Sequence, residues 1–312
     1  MQHEIRLIGP ALRADRIDGR LLKGILDPLV EGAQGAVRLL VEGRSRARAP
    51  KPAWLQRDAS FDFVPVTGGK ATQGAHVFGV EASTLRGADP DRFSQVNMFG
   101  EKYAADRSGI DLLEDALEAA LRGDRDSDLY DEALLDTLLG LKTLFALGVE
   151  RVEVVNGRTV PLTDEGLDAI AALRRQTPPP QQVRVAGMLD LLEASTCRFM
   201  LLLADGLRMG GVAEGVSEED LRALWKKTVT VTGKAYFHAS GRVRRLEADA
   251  IRSATEVDQR AFASLPTPLF GTTDARRFHV KAGPEDGLNA IFEKWPDEDD
   301  SEETDRAIEA LQ

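Results

Sequence analysis

Between Val183 and Ile251 the chain alternates short β-rich runs with turn residues and admits a single helix, and this order constrains the fold more than any other feature. Val183, Val185 and Gly187 open the first run. In the second, Phe199, Leu201 and Leu203 alternate with Met200, Leu202 and Ala204, so both faces are apolar and burial on both is expected. Asp205-Gly206 is a turn dipeptide before the third run, LRMGG. Ser217-Glu-Glu-Asp220 opens the one helix. In the fourth run Val229, Val231 and Gly233 alternate with Thr228, Thr230 and Thr232. Ser240-Gly241 turns the chain into the fifth, which holds Val243 and Leu246.

Strand–strand–strand–helix–strand–strand is the element order of an OB-like β-barrel, assigned to 182–252. Ahead of it the pattern is mixed. HEIRLI (3–8) reads as a strand. Ile17, Leu21, Leu22, Ile25 and Leu29 have helical spacing, with Asp27-Pro28 as an interruption. AVRLLVEG (36–43), SFDFVPV (60–66) and AHVFGVEA (75–82) read as strands, so the chain is expected to begin β-α-β-β-β. Ser108 and Asp111 form a capping-box pair before the stripe Leu112, Leu113, Ala116, Leu117, Ala120 and Leu121, with Gly123 placed to end that helix. A second helix is expected over 128–147. Asn156-Gly157 between β-rich runs is a strong hairpin signal. Thr163 then caps a helix that stops at Thr177-Pro178-Pro179-Pro180. The expected fold class is α+β: a mixed-sheet domain over 1–177, a proline linker at 178–181, the barrel at 182–252, and an extended arm with an acidic tail over 253–312. A short helix is expected around 254–263.

Composition sets bounds on function. A hydrophobic content of 43% and a charged content of 29% are ordinary for a globular protein, and 312 residues suffice for two domains. The net charge of −11 repels a phosphate backbone on average. The single cysteine, Cys197, permits no internal disulfide and no cysteine-based zinc site. No apolar run approaches the ~18 residues of a membrane helix, and MQHEIRLIG lacks a signal-peptide core. The expectation is a cytoplasmic protein with no membrane partner.

No catalytic signature is specific. His3, His76, His238 and His279 fall in four elements with no shared spacing, and no metal site is expected. Asp124, Asp126 and Asp128 begin like a calcium loop, but Leu129 and Leu135 stand where glycine and glutamate are required. Gly68-Gly69-Lys70 lacks the earlier glycine and the hydroxyl residue of a phosphate loop. Paired acids at Glu218/Glu219, Asp297–Asp300 and Glu302/Glu303 lie at a helix start or in the tail. The chain is therefore expected to be no enzyme and to need no cofactor. One segment stands out for binding: Arg44, Arg46, Arg48 and Lys51, followed by Trp54 and Arg57, interleave cations with an aromatic and form a candidate nucleic-acid contact together with the barrel.

Two resemblances add to this. The runs HEIRLIG, Trp54-Leu55, TPPP, VAGMLD, LADG, VTVTGKAYFHASG and LEADAI are similar to an uncharacterised bacterial protein family, which brings no catalytic residues. FEKWPDEDDSEETDRAIEAL (292–311) resembles the WPGDE-type tail of proteins encoded beside small toxins, many of them ribonucleases, although Asp297 stands where that pattern has glycine. The last twenty residues hold nine acidic and two basic side chains. The resemblance implies an antitoxin-like inhibitor that binds a partner protein through Phe292, Trp295, Pro296, Ile308 and Leu311. Nucleic-acid binding through the barrel and the loop 44–57 is the alternative.

Overall fold

The computed structural model describes residues 1–13, 16–47, 50–64, 74–93, 105–193 and 196–268. Met1–Gly271 form one compact unit. Mixed α+β content is observed, with two five-stranded sheets.

Chain order begins with β1 (Gln2–Ile8), α1 (Gly19–Glu42), α2 (Ala53–Asp58), β2 (Phe61–Val64), β3 (Ala75–Ala82), α3 (Leu85–Ala88) and α4 (Pro90–Phe93). It continues with α5 (Gly109–Leu121), α6 (Glu132–Leu139), α7 (Lys142–Phe145), β4 (Arg151–Val155), β5 (Thr159–Leu162) and α8 (Asp164–Gln176). The first sheet runs β2-β3-β1-β4-β5 and is antiparallel throughout. Residue alternation splits it into two unlike faces. Ile5, Leu7, Val80, Val152 and Val154 are buried on one, in a core shared with α1, α5, α6 and α8. On the other, Arg6 pairs with Glu4 and Glu153, and Arg151 with Glu153.

The run AVRLLVEG is not a strand. It is the last two turns of α1, a 24-residue helix that contains Pro28. Its buried residues Leu21, Ile25, Leu29, Ala33, Val37 and Val41 step by four along one face. Asp27-Pro28, expected to interrupt the helix, lies within it, and two glycines further on serve close packing. A Cβ on Gly32 would stand 2.7 Å from Leu113 Cδ1 of α5, and one on Gly35 would stand 3.2 Å from Leu134 Cδ1 of α6. The chain therefore begins β-α-α-β-β.

Several local signals read as expected. Ser108 and Asp111 make a reciprocal capping box at α5. Gly157 has φ +70° in the β4–β5 hairpin, and the Thr163 side chain caps α8. The helix expected over 128–147 is two helices instead. The Asp131 carboxylate caps α6 by accepting from Leu134 N–H, and α6 ends at Gly140.

The second sheet comprises β6 (Gln181–Glu193), β7 (Arg198–Leu202), β8 (Arg208–Val212), β9 (Thr228–Phe237) and β10 (Val243–Ser253), with α9 (Glu218–Leu224) between β8 and β9. α10 (Glu256–Ala261) follows, capped by Thr255. The strands close into a barrel in the order β10-β8-β7-β6-β9. β9 joins both β6 and β10 antiparallel, and β8–β10 is the parallel pair. Val185, Leu189, Phe199, Leu201, Val231 and Leu246 fill the interior. In β7, Phe199 and Leu201 are buried while Met200 and Leu202 are half-buried, so this strand has one dry face and one half-covered one. Glycine is required where backbones meet. A Cβ on Gly233 would lie 2.0 Å from Glu247 O, and one on Gly211 would lie 2.3 Å from Phe199 Cζ.

Pro178–Pro180 connect α8 directly to β6. The two cores are also joined side by side by charged groups. Arg198 Nη1 donates to Val41 O, Arg125 Nη2 to Ala239 O, and Arg244 to the Asp128 and Tyr130 carbonyls. Arg245 reaches Gly43 O and Asp131.

Candidate functional site

One cleft in the described surface is formed by β6, β7, α9 and the turn after it. A register shift in β6 between Leu189 and Leu191 leaves two successive leucines, Leu191 and Leu192, at its lip. β7 contributes Arg198, and α9 contributes Glu218, Leu221 and Arg222. Trp225 closes the set, around a cavity of about 590 Å³. The local sequence explains this placement. Ser217 caps α9 with three acids in its first turn. Trp225 leaves the helix with ψ 137°, and Lys226 at φ +58° completes the turn and returns the chain to β6 through Lys226 N–H to Leu189 O.

Trp225 is 56% exposed, an unusual position for the largest apolar side chain. Its ring is not free to swing. Nε1 donates to Asp190 O at 3.2 Å. Lys226 Nζ bonds the Asp190 carboxylate at 2.6 Å, and this bond holds that carboxyl below its ordinary range. Glu218 and Arg222 pair across the rim. The result is an apolar floor of leucines, one anchored aromatic, and a rim of both charges.

The basic segment is placed differently from a phosphate-binding surface. Arg44 is 3% exposed and lies between Glu42, Glu214 and Glu247, which hold it in its charged form despite burial. Lys51 bonds Glu31 and Gln34. Arg57 bonds Asp58 and Asp89. The Trp54 ring is covered by Arg92, whose guanidinium carbon lies 4.4 Å from its centroid. Arg46 is exposed, and Arg48 lies outside the described residues. As a surface cation Arg44 is corrected: it is an internal tie between α1 and the barrel. The tail residues Phe292, Trp295, Pro296, Ile308 and Leu311 also lie outside the described residues.

One polar constellation was missed in the sequence. His3 of β1 and Asp111 and Glu114 of α5 are each no more than 2% exposed, and their ligand-type atoms lie within 4.8 Å of one another. Residue types and spacing suit a small cation. Both carboxylates, however, are already engaged, while His3 Nδ1 has no hydrogen-bond partner. Asp111 accepts from Ser108 N–H at 2.7 Å, Ser108 Oγ at 2.8 Å and Asn156 Nδ2 at 2.6 Å. Glu114 accepts from Arg158 Nε at 2.9 Å. Burial raises the Glu114 carboxyl against the pull of Arg158, and lowers the His3 imidazole against that of Asp111. The guanidinium of Arg158, with Arg107 beside Asp111, supplies the positive charge that a metal would bring. The cluster thus pins β1 and the β4–β5 hairpin to the start of α5. Its signal was faint: His3 falls on the apolar phase of a strand, and Asp111 is the third residue of a capping box.

No family model and no curated protein matches the chain.

Proposed function

We propose that the chain is a non-enzymatic binding protein that engages a partner protein, and that its OB-like barrel presents the Trp225 cleft to an apolar side chain of that partner. The topology supports the OB-like reading: five strands ring-closed, the third and fifth parallel, one helix between the third and fourth. The observation that carries the functional reading is the cleft itself. A half-exposed tryptophan anchored through its N–H, beside leucines and rimmed by arginine and glutamate, has the composition of a protein-interaction hot spot. The antitoxin-like role belongs to this proposal and rests on the tail's resemblance, with Phe292, Trp295, Pro296, Ile308 and Leu311 as a second contact. Nucleic-acid binding has less support, because Arg44, Lys51 and Arg57 are held by carboxylates.

The test is affinity capture from native extract with three baits: the intact chain, a 1–291 truncation and Trp225→Ala. A protein captured by the intact chain and lost with Trp225→Ala supports the cleft. Loss with the truncation alone moves the contact to the tail. Capture that nuclease abolishes from all three baits would overturn the proposal.

A further inference from the structure

A second cavity, of about 250 Å³, lies away from the cleft, between α1, the segment after it and α6. Arg38, Arg46 and Lys51 line it, with Gln34, Ser45 and Thr137 among the polar neighbours. Glu31 is the one carboxylate in the lining. In a chain of net charge −11, a cavity with three cations against one acid is locally inverted.

Arg38 is the informative member. It is 5% exposed, an uncommon burial for an arginine. Among the described residues its guanidinium makes one hydrogen bond, from Nε to Glu42 at 2.8 Å. Glu42 thus takes one edge of the fork, and the two terminal nitrogens have no acceptor among the described residues. The residue is buried but its terminal nitrogens are not sealed from solvent, and the planar fork suits two oxygens of a tetrahedral oxyanion. Lys51 stands at the mouth bonded to Glu31 and Gln34, so an anion there competes with Glu31 for its ammonium. Arg46 is exposed and makes no ion pair among the described residues.

We propose that this cavity binds a small phosphorylated molecule, with Arg38 as the buried fork and Arg46 and Lys51 closing over the phosphate. The volume is too small for a polymer segment and falls just below the usual range for drug-sized ligands, which favours a compact phosphate monoester over a nucleic-acid strand. This reading is independent of the Trp225 cleft.

Inorganic phosphate is the probe. Thermal unfolding of the full chain is followed while phosphate replaces chloride at constant ionic strength, for the wild type, Arg46→Ala/Lys51→Ala and the exposed α10 variant Arg260→Ala. The expected result is a saturable rise in Tm for the wild type and Arg260→Ala. In the double variant the half-saturating concentration should move up by at least about tenfold, the effect of losing charge-assisted hydrogen bonds. Both altered side chains are at the surface, so the fold should persist, and the Tm in chloride alone checks this. A non-saturating rise, or an equal rise in the double variant, overturns the site. A Tm rise with a short oligonucleotide and none with phosphate overturns it in favour of a strand-binding surface.

Discussion

The carboxylate of Asp131 caps α6 and at the same time faces Arg245 of β10, whose Nη1 lies 3.4 Å away. One buried side chain thus starts a helix of the first layer and receives a cation from the last strand of the barrel. Ser45 also donates to it, through N–H at 2.8 Å and through Oγ. Burial alone would raise this carboxyl, but Arg244, Arg245 and Ser45 together carry it below its ordinary value. Asp131→Ala should therefore cost about 3–5 kcal/mol, because it strands a buried arginine as well as removing a cap. Urea unfolding of Asp131→Ala, Arg245→Met and the pair would check this. The double variant should be less unstable than the sum of the singles.

The barrel wall should tolerate no added methyl where strands β9 and β10 touch. A Cβ at Gly233 meets the Glu247 carbonyl oxygen at 2.0 Å, and backbone cannot yield as a side chain can. Gly233→Ala should lose about 1–3 kcal/mol or more. The measurement is the urea midpoint, with Gly210→Ala as control, since that position has open space around its Cβ.

Trp225 and Phe199 should behave oppositely despite both being barrel aromatics. Phe199 is fully buried, and Phe199→Ala should cost about 3–5 kcal/mol through the cavity left behind. Trp225→Ala should cost no more than about 1.5 kcal/mol, the value of one hydrogen bond at a half-exposed site. A large loss at Trp225 would mark it as structural and undercut its role as a contact.

Acid should weaken the fold through two buried histidines. Burial lowers His3 and His238 from an ordinary 6.5, with nearby aspartates only partly opposing it. Above pH 6.5 both rings are neutral, folded or unfolded, and stability is unaffected. Below it the unfolded chain takes protons that the folded chain refuses, so stability falls with pH from 6.5 down through the lowered folded values. Urea midpoints between pH 7.5 and 5 should trace this fall. His238→Gln should flatten it, whereas an unchanged slope would assign the loss elsewhere.

Local chemistry was legible in the sequence where one signal settled one element. The Ser108 box, the Thr163 and Ser217 caps, the Asn156-Gly157 turn and the chain order of five strands and one helix over 182–252 are of this kind. The run at 36–43 was not, because a short apolar run with valines fits either period, and Asp27-Pro28 looked like an interruption. The purpose of Gly32 and Gly35 appears only when Leu113 and Leu134 are seen against them. His3 meets Ser108, beside Asp111, across 105 positions, and Arg44 meets Glu247 across 203. No periodicity encodes such pairings. The basic loop therefore looked like a cationic surface, although its partners lay elsewhere in the chain.

Among the described residues the open sheet ends in β2 on one side and β5 on the other. Pro161, paired with Glu153, leaves β5 without one of its four N–H groups. A strand approaching β5 would thus meet a margin one donor short, which makes β5 a poor template for edge-to-edge pairing.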